Sequence, residues 1–178
     1  MKQKIKMGMI GGGNGSFIGA VHRIAANLDG QIDLVCGCFS GTPSVSVASG
    51  RNLFLPEDRI YNSYQEMIEE EAKLPEAERM DFVSIVTPNH VHFEPAMMAL
   101  KHGFHVVLDK PVTYTLEEAK ALREQVKVSG KLFALTHTYT GYPMVKEART
   151  RVLRGDIGKV RRIYVEYPQG WLYSDCAG

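Results

Sequence analysis

Residues 5–28 read IKMGMIGGGNGSFIGAVHRIAANL. A short apolar run ends at Ile10, and a glycine-rich segment follows from Gly11 to Gly19. Glycines between a first strand and a helix allow backbone N–H groups to approach a phosphate at the positive N-terminus of that helix. The segment therefore predicts a strand, a phosphate-binding turn and a helix, which is how a dinucleotide-binding domain begins.

The rest of the chain alternates apolar runs with helical patterns, which is typical of a parallel sheet covered by helices. Further strands are predicted at 32–39, 82–86, 105–108, 132–136 and 162–167, and further helices at 43–53, 63–74, 94–102, 115–130 and 143–154. Along the first helix, one face is formed by Ile18, Val21, Ile24, Ala25 and Leu28. The predicted fold class is α/β, with a Rossmann-type doubly wound sheet.

Three unusual breaks stand at the ends of predicted strands, at residues 11–19, 87–92 and 109–111. A doubly wound sheet binds its ligands at the carboxyl ends of its strands, where the order of the strands reverses. Because three such breaks converge there, we expect one ligand site at that edge.

The glycine segment departs from the usual G-x-G-x-x-G spacing. Gly11 and Gly13 take the first two positions, Ser16 takes the third, and the next glycine is Gly19. The loop is therefore expected to be three residues longer than usual.

The end of the second predicted strand lacks the acidic residue that usually binds the ribose 2′-hydroxyl of NAD. The segment reads Phe39-Ser40-Gly41-Thr42, and its two hydroxyl groups are able to bond a 2′-phosphate. No arginine lies beside them, since Arg51 comes a helix later. The choice between NAD and NADP stays open.

Asp109-Lys110-Pro111 places a lysine at a strand end. Hydride transfer from an alcohol requires a base for the hydroxyl proton, and the reverse reaction requires an acid. A lysine serves both purposes when burial or a neighbouring positive charge favours its neutral form. Lys110 is therefore a candidate for proton transfer.

Taken together, the motifs resemble the glucose-fructose oxidoreductase / inositol dehydrogenase (Gfo/Idh/MocA) family of NAD(P)-dependent oxidoreductases. The matching segments are Gly11-Gly12-Gly13, Gly19-Ala20-Val21-His22-Arg23, Thr87-Pro88-Asn89-His90-Val91-His92, Asp109-Lys110-Pro111 and Gly155-Asp156-Ile157-Gly158. Asp109 stands where the family has glutamate.

The resemblance implies a Rossmann domain over residues 1–137 and the incomplete start of a substrate and oligomerisation domain over 138–178. Its cofactor would be NAD or NADP, and its substrate a sugar, polyol or similar hydroxyl compound. Lys110 would be catalytic, beside the nicotinamide. The implied cofactor-binding residues are Gly11, Gly13, Asn14, Ser16, Phe17, Ile18, Ser40, Thr87, Pro88, Asn89, His92, Asp109 and Lys110.

Members of this family usually carry an Asp-x-x-x-His motif in the second domain, and none of the six histidines here lies four residues after an aspartate. We expect a truncated family member, a homo-oligomer when full-length. One alternative is a non-catalytic nucleotide-binding or assembly module. Another is a short-chain dehydrogenase, because Tyr142 and Lys146 have the Tyr-x-x-x-Lys spacing of that class.

Composition argues against several other classes of protein. The chain of 178 residues has 21 basic and 20 acidic residues, so nothing favours a nucleic acid partner. No apolar run reaches the roughly 20 residues of a membrane span. Three cysteines without a framework spacing favour the cytoplasm. His90 and His92 have no further ligand nearby in sequence, so we expect no metal.

Overall fold

The computed structural model describes residues 4–168 and 170. Its strands are β1 (Ile5–Gly11), β2 (Ile32–Cys38), β3 (Phe82–Val86), β4 (His105–Leu108) and β5 (Phe133–Leu135). Its helices are α1 (Phe17–Asn27), α2 (Pro43–Asn52), α3 (Tyr64–Lys73), α4 (Phe93–Lys101), α5 (Leu116–Ser129) and α6 (Pro143–Arg154).

All five strands are parallel and form one sheet in the order β2-β1-β3-β4-β5. The chain moves from β1 to one side and then returns to β3 on the other side. This reversal of direction lies between β1 and β3, where a crevice opens at the carboxyl ends of the strands.

Helices cover both faces of the sheet. Ile10 of β1 belongs to a buried cluster that includes Met67 of α3, Leu100 of α4 and Leu122 of α5. The neighbouring Met9 points the other way, into a second cluster with residues of α1. The predicted doubly wound Rossmann-type sheet is therefore confirmed.

The apolar face predicted for α1 does not pack onto the sheet. Ile18 is half-buried, whereas Val21, Ile24, Ala25 and Leu28 are exposed; the buried residues of α1 are Gly19 and Ala26. The reason is a close backbone contact, since a Cβ atom added to Gly19 would lie 2.4 Å from Cα of Gly12. This contact turns Gly19 toward the sheet and rotates the larger apolar side chains outward.

A buried carboxylate ties α3 to the segments around it. Glu71 is fully buried and accepts hydrogen bonds from Arg59 Nε at 2.8 Å and Nη2 at 2.9 Å. It also accepts from the Tyr61 hydroxyl at 2.9 Å and the Met80 N–H at 2.8 Å. Burial and the negative charge of Glu71 raise the pKa of Tyr61, and burial raises that of Cys36. These groups are structural.

The chain divides into two compact units between His137 and Thr138. In the second unit, α6 begins at Pro143 with Tyr142 as its N-cap residue. The predicted strand at 162–167 is wrong, because a strand requires a hydrogen-bonded neighbour and no described residue of this unit pairs with it. The last residues of the predicted second domain, 171–178, lie outside the described residues.

In residues 4–168 and 170, no helix is both long and apolar enough to cross a membrane.

Candidate cofactor site

A cavity of about 760 Å³ lies at the carboxyl ends of β1, β2 and β3. Eight of the predicted cofactor-binding residues line it: Gly11, Gly13, Asn14, Ser16, Ile18, Ser40, Thr87 and Pro88. Five do not: Phe17, Asn89, His92, Asp109 and Lys110. Residues that the sequence analysis did not select also line it, among them Gly12, Gly41, Asn62, Tyr64 and Gln65.

The glycine turn lies in close contact with the segments that follow β2 and β3 and with α2. Gly11 and Gly12 have backbone φ values of +83° and +73°, which residues with a side chain rarely adopt. A Cβ atom on Gly11 would lie 3.0 Å from the backbone of Thr87, and one on Gly13 would lie 2.7 Å from Ser49 Oγ. Only glycine fits these positions. Sequence reasoning missed Gly12, although three consecutive glycines signal it.

Hydrogen bonds hold this turn in place. The Gly13 N–H donates to the Phe39 carbonyl at 3.2 Å, and the Asn14 N–H donates to Ser49 Oγ at 3.0 Å. From α1, Arg23 Nη1 donates to the Gly12 carbonyl at 2.7 Å, and burial lowers the pKa of this guanidinium. Because the Gly13 and Asn14 N–H groups have partners, other donors must serve a bound phosphate.

The N-terminus of α1 has such donors. The helix begins at Phe17, the Ser16 side chain does not cap it, and its first turn contains no acidic residue. The first N–H groups of a helix have no partner within it and carry partial positive charge. With Ser16 and Ile18 lining the cavity, this end of α1 is suited to an anion.

Thr87 supplies a buried polar atom that requires a partner. Among the buried side-chain oxygen and nitrogen atoms of the described residues, its Oγ1 is the one that has no hydrogen-bond partner. An unsatisfied buried hydroxyl costs roughly 1–3 kcal/mol. Since Thr87 lines the cavity, a rotation of its side chain would bring this hydroxyl to a polar group of a bound molecule. The glycine turn, the end of α1 and this hydroxyl together fit a dinucleotide.

His92 connects two turns instead of lining the cavity. It is buried, with Nδ1 2.7 Å from the Pro111 carbonyl oxygen and Nε2 2.9 Å from that of Thr87. Asn89 is exposed beside it in a short 3-10 helix. The imidazole therefore holds the turn after β3 against the turn after β4, which contains a cis Lys110–Pro111 peptide bond.

Asp109 and Lys110 face different surroundings. Lys110 is exposed and has no hydrogen bond or ion pair in the described residues. Asp109 Oδ1 accepts a hydrogen bond from Thr136 Oγ1 at 2.8 Å and lies 3.9 Å from His22 Nε2. Burial lowers the pKa of His22, and Asp109 partly opposes this effect. Ser84 Oγ, 2.9 Å from His22 Nδ1, completes a polar cluster.

In the described ranges, no three His, Cys, Asp or Glu side chains are grouped closely enough to hold a metal ion.

Residues 5–137 match the family model GFO_IDH_MocA, described as an oxidoreductase family with an NAD-binding Rossmann fold. The oxidoreductase YfiI of Bacillus subtilis (strain 168) is 32% identical over 176 residues, 98% of this chain and 44% of that protein. The scyllo-inositol 2-dehydrogenase (NAD(+)) of the same organism is 35% identical over 80 residues, 45% of this chain and 23% of that protein.

Solved structures agree with these sequence matches. An oxidoreductase from Sinorhizobium meliloti is 51% identical with a TM-score of 0.84, over 90% of this chain and 44% of that one. An inositol dehydrogenase homolog from Azotobacter vinelandii, complexed with NADH and myo-inositol, is 37% identical with a TM-score of 0.86, over 90% and 42%.

The chain thus spans less than half the length of these relatives. The matched segment contains the whole sheet and every residue that lines the cavity. Tyr142 and Lys146 lie outside it, so the short-chain dehydrogenase alternative is set aside. The chain belongs to the GFO_IDH_MocA family of oxidoreductases, which have an NAD-binding Rossmann fold.

Proposed function

We propose that this chain is the cofactor-binding part of an NAD(P)-dependent oxidoreductase acting on a hydroxyl or keto group of a sugar, polyol or related compound. The observation that carries the proposal is the cavity at the β1–β3 crevice, with its glycine turn and the unsatisfied Thr87 hydroxyl. The names of two relatives, an inositol dehydrogenase homolog and a scyllo-inositol 2-dehydrogenase, support the substrate class.

Different residues of the cavity bind different parts of the dinucleotide in this proposal. The N-terminus of α1 binds the pyrophosphate, and Gly11, Gly12 and Gly13 allow it to approach the backbone. Ser40 contacts the ribose nearest the adenine, since it follows the second strand. Thr87 and Pro88 contact the nicotinamide half. Bound nicotinamide supplies the hydride acceptor or donor.

Lys110 transfers the proton of the reacting hydroxyl in this proposal. Its side chain is exposed and engages no described residue, so its amine is available to a substrate. Asn89 and Phe17 are adjacent in sequence to residues that line the cavity. His92 acts as a positioning residue, because it holds the Pro111 and Thr87 carbonyl groups together. Asp109 positions the same turn through Thr136.

The second candidate is a non-catalytic nucleotide-binding module. The observation in its favour is that Lys110 is not among the residues that line the cavity. Both candidates predict cofactor binding, but only the first predicts that Lys110 is required for turnover.

Residues 1–137 form the cofactor domain, and 138–178 begin a second domain that contributes to substrate binding and oligomerisation. The enzyme works in the cytoplasm as a homo-oligomer, on a small molecule and not on nucleic acid. Analytical ultracentrifugation of the purified protein tests the oligomeric state.

Two measurements test the function. Titration calorimetry of NAD and NADP against the purified chain tests binding. A panel of polyols and sugars, assayed on the whole enzyme of which this chain is proposed to be the cofactor-binding part, tests reduction of the bound cofactor. Lys110→Ala is expected to retain cofactor affinity within about threefold and to lower turnover by roughly 100-fold or more. Lys120→Ala, which changes an exposed lysine of α5, is the matched control.

The outcomes separate the candidates. Cofactor binding with turnover that depends on Lys110 supports the oxidoreductase. Binding without turnover on any substrate supports the nucleotide-binding module, and failure to bind either cofactor contradicts both.

A further inference from the structure

The part of the cavity that follows β2 contains no charged group. Its residues are Cys38, Phe39, Ser40 and Gly41, and burial raises the pKa of the Cys38 thiol, which is therefore neutral at pH 7. The rest of the described lining likewise contains no Asp, Glu, Lys, Arg or His. In a Rossmann fold, this region contacts the ribose that carries the 2′-hydroxyl of NAD or the 2′-phosphate of NADP.

The nearest arginine along the chain is engaged elsewhere. Arg51, at the end of α2, donates to both carboxylate oxygens of Glu57, at 2.7 and 3.0 Å. It does not line the cavity. A 2′-phosphate therefore meets neither an arginine that would attract it nor a carboxylate that would repel it.

Among the four cavity residues at the end of β2, Ser40 supplies the hydroxyl group. Its Oγ accepts the Thr42 N–H at 3.1 Å, which leaves its own hydrogen free to donate. A hydroxyl group is able to donate to a ribose hydroxyl or to a phosphate oxygen. This contact does not distinguish NAD from NADP by charge.

We propose that the site binds NAD and NADP with dissociation constants within about tenfold of each other. We also propose that the side chains at positions 40 and 41 determine the ratio of these two constants. This inference rests on the proposed function. A hydrogen bond to a charged group changes affinity by roughly tenfold to a hundredfold, so a site without charge lacks the contact that strong selection requires.

The backbone at Gly41 permits a direct test. A Cβ atom added there meets nothing within 4 Å, and Gly41 is not among the residues with positive φ. Gly41→Arg therefore adds a cation at the cavity wall with no steric conflict at its Cβ atom, and Gly41→Gln is the neutral control of similar length. At the preceding position, Ser40→Asp keeps an acceptor for the Thr42 N–H, and Ser40→Asn is its neutral control.

Titration calorimetry of NAD and NADP is carried out on the full chain and the four variants at low and high salt. Gly41→Arg is expected to tighten NADP binding about tenfold or more, with a gain that shrinks at high salt. Ser40→Asp is expected to weaken NADP binding about tenfold or more while NAD binding is retained. The two neutral controls should leave the ratio of the dissociation constants nearly unchanged.

Two results would overturn the inference and leave the proposed function intact. One is a preference of more than about tenfold for either cofactor in the unchanged protein. The other is a ratio of the NAD and NADP dissociation constants that stays the same in both Gly41→Arg and Ser40→Asp. Binding of neither cofactor would overturn the inference and the proposed function together.

Discussion

At the scale of single residues, Thr87 distinguishes a ligand site from a structural crevice. Its buried Oγ1 has no partner in the described residues. Thr87→Val replaces this hydroxyl with a methyl group of similar shape, so the unfolding free energy of the unliganded protein should stay the same or rise. NAD affinity should fall about fivefold to tenfold, the effect of one hydrogen bond. Urea unfolding and calorimetry measure the two effects.

Thr87→Ser keeps the hydroxyl and is the matched control. A Thr87→Val variant that binds NAD as tightly as the unchanged protein would show that the hydroxyl does not contact the cofactor.

His22 is expected to make stability depend on pH. Burial lowers its pKa below the usual value of 6.5, and the nearby carboxylate of Asp109 only partly offsets this. Because the unfolded chain then binds the proton more readily, the contribution of His22 to stability is full above about pH 6.5 and is lost as the pH falls through and below that value. His22→Gln, which does not titrate, should reduce the loss of unfolding free energy between about pH 7.5 and pH 5.5.

Urea unfolding at the two pH values checks this expectation. His90→Gln changes an exposed histidine and should leave the loss as it is. If His22→Gln loses as much unfolding free energy between the two pH values as the unchanged protein, His22 is not the cause of the pH dependence of stability.

At the scale of secondary-structure elements, two arginine–glutamate pairs have similar geometry and different burial. Arg59 bonds the fully buried Glu71, while Arg51 bonds Glu57 in solvent. Arg59→Met should lower the unfolding free energy by about 3 kcal/mol, because it leaves a buried carboxylate without its cation. Arg51→Met, the matched control, should change it little, since exposed pairs contribute little. Equal effects in urea unfolding would contradict this account.

At the scale of the whole molecule, the described residues that line the candidate cofactor cavity all belong to the first unit. All five strands and all residues that line the cavity precede Thr138. A chain that ends at His137 should therefore unfold in one cooperative transition and bind NAD with an affinity within about threefold of the full chain. At NAD concentrations of about 100 Kd, binding should add about 2.7 kcal/mol to its stability. Calorimetry measures the NAD affinity, and thermal unfolding measures the stability that NAD adds. A shortened chain that folds without binding NAD would show that residues 138–178 contribute to the site.

The elements of this fold and the edge that carries its site were predictable from sequence. Strands and helices follow from apolar spacing, and the α5 N-terminus follows from the capping box that Thr115 and Glu118 form. Such signals are local, since they depend on residues a few positions apart. The turns after β1 and β3 were predictable for the same reason.

Side-chain direction was decided by the tertiary structure. The close contact of Gly19 with Gly12 sets the rotation of α1, and Thr136 and His22 draw Asp109 into a polar cluster. Residues 162–167 have the apolar pattern of a strand but no described neighbour to pair with. By itself, the sequence determined which elements form and where the crevice opens, because those depend on local pattern. Only the tertiary structure decided which atoms face the crevice, because that depends on contacts between residues far apart in the chain.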